Sequence, residues 1–240
     1  MMLFSVLLGL HVAIAAPALI AGAVALAVPK GGLLHRQAGI TFLMAMLAMT
    51  AIGFLLALMH HDLISIVPSM LTFYLVASGW RTIAAARADA SSADHALTLL
   101  AMLAAATGFA LGFHTANMPS GFDDKGFPST VYFVFASVAL LAAGGDIYLV
   151  AAGPARGVRR LVRHVWRMAV AMFIATTSLF QGQEQVFPKS LQGSIWLQLP
   201  ALWVIAVTLY WLARLALRRP PSPQLRNAAV RVREVVAIER

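Results

Sequence analysis

The sequence predicts an all-α polytopic membrane protein: a bundle of seven transmembrane helices, N-terminus outside and C-terminus inside. Three observations carry that prediction. Of 240 residues, 60% are hydrophobic and only 11% charged, and mean hydropathy is +0.81, far from the balance of soluble domains. Seven apolar stretches are close to the length of about 20 residues that a helix needs to cross hydrocarbon. The lysines and arginines then fall almost entirely on alternate connections, as the positive-inside rule requires.

The stretches run over 2–28, 37–59, 63–82, 96–113, 131–152, 165–181 and 195–217. They fill most of the chain, so residues 1–217 are expected to form one bundle and 218–240 a basic cytoplasmic tail. The first stretch lacks a basic n-region and outruns the roughly 7–15 apolar residues of a signal peptide, so it reads as a retained helix. One set of connections and ends holds Lys30, Arg36, Arg81, Arg87, Arg156, Arg159, Arg160, Arg163 and Arg167, joined by Arg214, Arg218, Arg219, Arg226, Arg231, Arg233 and Arg240. The other set holds Lys125 and Lys189. Sixteen against two sets the orientation. The net charge of +9 is therefore explained by the bilayer and its anionic inner headgroups, with no need of nucleic acid. Trp80, Trp166, Tyr148 and Trp211 fall at the inner interface and Trp196 at the outer one.

Outer connections are "HHD" at 60–62, "HTANMPSGFDDKGFPST" at 114–130 and "GQEQVFPKSLQGS" at 182–194. The second is the longest and reads either as a solvated connector or as a binding lid. Inside, "ADASSAD" offers Ser92 or Asp94 as N-cap of the fourth helix, and "RRPPSP" ends the seventh. The tail beyond fits a short interfacial helix, with Leu225, Ala229, Val232 and Val236 on one face, or a disordered segment. Small residues four apart mark close helix approach in lipid. Such rows are Ala104, Gly108 and Gly112; Ala15, Ala18, Gly22 and Ala25, in line with His11; Ala136, Ala139 and Ala143, ending at Asp146; and His164, Met168, Ala171, Ala175, Ser178 and Gly182. Pro17, Pro68 and Pro200 fall inside helices one, three and seven, where they would release carbonyls.

Ionisable groups inside a membrane cost about 2.5–3.5 kcal/mol each on insertion scales, so each needs a partner or a purpose. Asp146 lies nearly two turns inside the inner end of helix five, Arg167 one turn into helix six, and Arg81 closes helix three. An inner polar cluster is expected, Asp146 pairing with Arg167 or Arg81 and His35 and His164 nearby. It is either an ion pair holding three helices in register or a site for a proton or an anionic small molecule. His11 is the one histidine at real depth. His60, His61, Asp62 and His114 are the weak candidates for an outer metal, without a recognised ligand spacing. A b-type haem is the cofactor to consider, since histidines occur on both sides. His35 and His60, however, are about 37 Å apart along one helix, at opposite surfaces. The absence of cysteine removes disulfides, iron–sulfur clusters and thiol catalysis. No phosphate loop, HExxH or GxSxG motif favours an enzyme.

Three segments, "LHRQAGITFLMAM" at 34–46, "LTFYLVASGW" at 71–80 and "RHVWRMAVAMFIATTSLFQGQ" at 163–183, resemble a bacterial family of predicted integral membrane proteins of unknown function. The matching polar positions are His35, Arg36, Arg163, His164, Trp166, Arg167 and Gln181. The resemblance implies a multi-pass protein of the bacterial inner membrane and carries no residue role. Seven-helix hydrolases and retinal proteins are different, since the chain lacks an HxxxH pair and a lysine in helix seven. The leading expectation is a protein that binds or passes a small solute or proton, with Asp146, Arg167, Arg81, His11, His164 and His35 as its site. The alternatives are a haem electron-transfer protein and a non-catalytic accessory subunit.

Overall fold

The structure, a computed structural model, describes residues 2–84 and 90–217. Arg87 and the basic tail, with its interfacial-helix reading, lie outside the described residues. The described elements are α1 (Met2–Ala27), α2 (Leu33–Met59), α3 (Leu63–Ala84), α4 (Ser92–Ala116), α5 (Ser129–Ala152), α6 (Gly157–Phe180) and α7 (Leu199–Ala216), with single 3₁₀ turns at Glu184–Val186 and Ile195–Leu197. Six of these helices, all but α6, are long and apolar enough to cross a membrane.

Helix α3 is the hub, packed against α2, α4, α5 and α6, while α4 pairs with α5 and α7 closes against α6 and α1. The reason lies in small residues. A Cβ on Gly108 would sit 2.9 Å from the Cβ of Ala136, and one on Gly112 would sit 2.8 Å from the Phe133 ring, so only glycine lets α4 lie this close to α5. Gly22 does the same for α1, facing Met172 and Phe42. Three hydroxyls buried in the helices are satisfied locally: Thr50, Ser78 and Thr176 each donate to the carbonyl four residues back, at 2.6–2.7 Å. Burial is inverted relative to a protein in water. Leu3, Ile20, Leu141 and Leu209 are over 60% exposed, whereas Arg167 is 1% and Asp146 5% exposed. A bilayer makes that distribution favourable, because hydrocarbon solvates leucine and charge must turn inward.

Four expectations change. Helix α6 starts at Gly157, two turns ahead of the apolar stretch at 165, so Arg159, Arg160 and Arg163 are helical and do not belong to a loop. The seventh stretch is broken near its start, a 3₁₀ turn at Ile195–Leu197 preceding α7; Pro200 therefore stands in the first turn, where its missing N–H costs nothing, and causes no kink. Ser91, and neither Ser92 nor Asp94, caps α4, with Asp94 three residues on completing a capping box. On α6, Ala171 and Ala175 are buried, but Ser178 and Gly182 are exposed, so the small-residue row ends a turn early.

Candidate functional site

The α5 face that runs Ala136, Ala139, Ala143 is buried along its length and delivers Asp146 to the junction of α3, α5 and α6. From α6, Arg163 and Arg167 arrive one turn apart, on the same side of the helix. Helix α3 contributes Tyr74, Ser78 and Thr82 at four-residue intervals. Gly79 gives α6 its room, because a Cβ there would stand 3.2 Å from Cβ of Arg167.

The Asp146 carboxylate is the centre of the bonding. Arg167 Nη2 donates to Oδ1 at 2.6 Å and to the Ala142 carbonyl at 3.1 Å. Arg163 Nη1 donates to the same Oδ1 at 2.5 Å, and its Nε to Thr82 Oγ1 at 2.8 Å. The Tyr74 hydroxyl donates to Oδ2 at 2.6 Å. Thr82 in turn donates to the Ser78 carbonyl, and Ser78 to that of Tyr74, so the α3 row is locked. The guanidinium of Arg167 also lies 5.1 Å from the Tyr74 ring centre and 5.4 Å from that of Trp166, in cation–π range.

Two properties separate this cluster from an ordinary ion pair. It sets two guanidiniums against one carboxylate. Arg167, though almost fully buried, has Nε and Nη1 without a hydrogen-bond partner among the described residues. Buried charged donors left unmade are costly. Two clefts reach it. One, of about 370 Å³, lies between the ends of α3, α4 and α5 and is lined by Ser78, Arg81, Thr82, Asp94, Asp146 and Arg163. The other, of about 540 Å³, lies at the α5–α6 connection and includes Tyr148, Arg156, Arg159, Arg163, Trp166 and Arg167.

Of the expected site residues, Asp146 and Arg167 come together. Arg81 is a correction: it makes a two-pronged bond to Asp94, 2.8 Å on each oxygen, and a third to Ser91, and so faces the rim of the first cleft. The cause is local, since the α4 capping box places a carboxylate within reach of the end of α3. His164 lies beside the cluster, its Nδ1–H donating to the Gly79 carbonyl at 2.9 Å. His35 donates likewise to Ala25 and His11 to Met49, each at 3.0 Å. His11 therefore ties α1 to α2 and takes no part in the Asp146 bonds. At the opposite end no group of three or more His, Asp or Glu among the described residues is close enough to hold a metal. There Asp62 pairs with Lys125 at 2.7 Å, and the His60 ring lies tilted against that of Phe4. Asp123 ties down the long connection: it accepts from the N–H groups of Lys125 and Phe127 and from the Tyr132 hydroxyl. Burial pushes its carboxyl up, but these bonds and the Lys125 charge outweigh that and hold it below its usual range.

Tyr74, Thr82 and Arg163 were not foreseen as members of the site. The signal for Arg163 was present in its four-residue spacing from Arg167. Tyr74 and Thr82 share an α3 face with Ser78, but nothing local says that this face meets Asp146. Comparison of the chain with protein-family models, with curated proteins and with solved structures gives no match.

Proposed function

We propose that the chain is a seven-span protein of a bacterial inner membrane, N-terminus outside and C-terminus inside, belonging to the predicted membrane-protein family that its three motifs resemble, and that it binds or passes a small anionic solute at the Asp146–Arg163–Arg167 cluster. The observation that carries this reading is the charge count at a buried site: one carboxylate, two guanidiniums, and two Arg167 nitrogens with nothing to donate to. A guanidinium has donors only, so what completes it is an acceptor, which favours an anionic solute over a proton. Both clefts open beside the arginine-rich helix ends, the end that the positive-inside count assigns to the inner face.

The test is thermal unfolding of the purified protein in neutral detergent against a panel of small organic and inorganic anions at constant ionic strength. Only a ligand that prefers the folded state raises the midpoint. At least one anion should raise it in the wild type and fail to do so in Arg163→Gln, which leaves a balanced Asp146–Arg167 pair. No response to any anion would defeat the reading. An absorption spectrum of the same preparation decides the haem alternative, a Soret band being required by it.

The chain has no cysteine, so single cysteines report topology without background. Val158→Cys, before the apolar half of α6, should be shielded from an impermeant thiol reagent on intact cells. Ser190→Cys, beyond α6, should react. Equal reactivity at the two positions would show that α6 does not span.

A further inference from the structure

We infer that the second cleft binds the phosphate group of a phosphate-bearing anion, either soluble or the headgroup of an anionic lipid, with Arg167 at its deep end and Arg156 and Arg159 at its mouth. This rests on the reading above that the guanidinium pair receives an anion. It goes further in naming the anion's chemistry and the side from which it arrives.

The two clefts differ in sign. Arg81 and Arg163 in the first are matched by Asp94 and Asp146, whereas the second is lined by Arg156, Arg159, Arg163 and Arg167 with no acidic residue in its wall. Four guanidiniums served by the single neighbouring Asp146 leave an excess that suits a polyvalent oxyanion, and the planar fork of each matches phosphate oxygens in pairs. The unpartnered Nε and Nη1 belong to Arg167, the most deeply buried residue of this wall.

The backbone points the same way. Helix α6 begins at this cleft with Arg156 as N-cap and no side chain capping its first N–H groups, so the positive end of the helix adds to the arginines. Gly153 and Gly157, both at positive φ, turn the chain tightly between α5 and α6. That keeps Arg156 and Arg159 next to the end of α5, where the Arg159 guanidinium lies 5.7 Å from the Tyr148 ring centre. The cleft is also open sideways: Gly145 and Tyr148 are exposed on the face of α5 that carries Leu141. A headgroup could enter there with its acyl chains along α5, and a soluble phosphate from the helix ends.

The experiment compares wild type with Arg156→Ala/Arg159→Ala, two exposed arginines that make none of the Asp146 bonds. In neutral detergent, inorganic phosphate should raise the wild-type midpoint by about 3–5 °C over chloride at equal ionic strength once it is about tenfold above its dissociation constant. The double variant should lose that rise. In the second arm, both proteins are taken from nanodiscs of mixed phosphatidylcholine and phosphatidylglycerol into native mass spectrometry. Retention of phosphatidylglycerol by wild type and its loss from the variant identifies the lipid headgroup as the source, and a phosphate response alone identifies a soluble one. Equal behaviour of variant and wild type in both arms overturns the inference. If succinate stabilises while phosphate and phosphatidylglycerol do not, the phosphate assignment fails and the anion site stands. If nothing stabilises and no lipid is retained, both fail together.

Discussion

Asp94 and Asp146 line one cleft, each bonded to arginine, and they are not equivalent. Asp94 meets Arg81 one to one, both oxygens engaged, at the cleft rim with about a third of its side chain exposed. The pair is electrically balanced, and Ser91 completes it. Asp146 is buried and meets two arginines with a tyrosine on its second oxygen, leaving positive charge in excess and two donors unmade. A closed pair of this kind fastens α3 to α4. The open one, on the reading proposed above, is where an anion is received. Counting charges and orphan donors thus separates the two roles where residue type alone does not.

The comparison breaks most visibly at Asp146. Asp146→Asn strands the buried Arg167 guanidinium and the half-buried one of Arg163, and breaking a buried pair this way costs about 3–5 kcal/mol. A large fall in the thermal midpoint or in folded yield is expected, and adding Arg163→Gln should recover part of it by removing one stranded charge. A double variant no better than Asp146→Asn would mean that charge excess is not what matters there. Asp94→Ala should cost far less, about 1 kcal/mol, because the pair is partly solvated and screened. If it destabilised as much as Asp146→Asn, the distinction between the two pairs would collapse.

The smallest effect belongs to the opposite end and serves as a control. The bonds that hold the Asp123 carboxyl below its ordinary pKa contribute stability that is present above the unfolded value near 4 and is lost as the pH falls through the lower folded value. Amide exchange over residues 121–128 should therefore gain protection above about pH 4 relative to more acidic solution, after correction for intrinsic rates. Protection independent of pH would remove Asp123 as the anchor of that connection.

The order and most boundaries of the described helices were legible because apolar length and the distribution of charge are properties of each segment alone. The start of α6 was not, since a stretch so rich in arginine carries no hydropathy signal; in the structure Arg163 and His164 of that part bond to Thr82 and to the Gly79 carbonyl of α3. Asp146 was legible as a residue needing a partner, and the choice between Arg81 and Arg167 was not. That choice depends on α3 lying between α4 and α6, so that Asp94 takes one arginine and Asp146 the other. The small-residue faces of α4 and α5 were readable from four-residue spacing, whereas the partner of the Tyr74 hydroxyl, on α5, depends on tertiary arrangement.

The burial of Arg167 also constrains how the chain can be assembled. A helix that begins with four arginines partitions poorly into lipid by itself. Its neutralising carboxylate is on α5 and its carbonyl acceptor at Ala142 is on the same helix, both synthesised before it. Arg163 and Arg167 are therefore expected to leave the aqueous side only when α3 and α5 are already in place to receive them. On the seven-span reading, burial of α6 thus depends on the prior placement of α3 and α5.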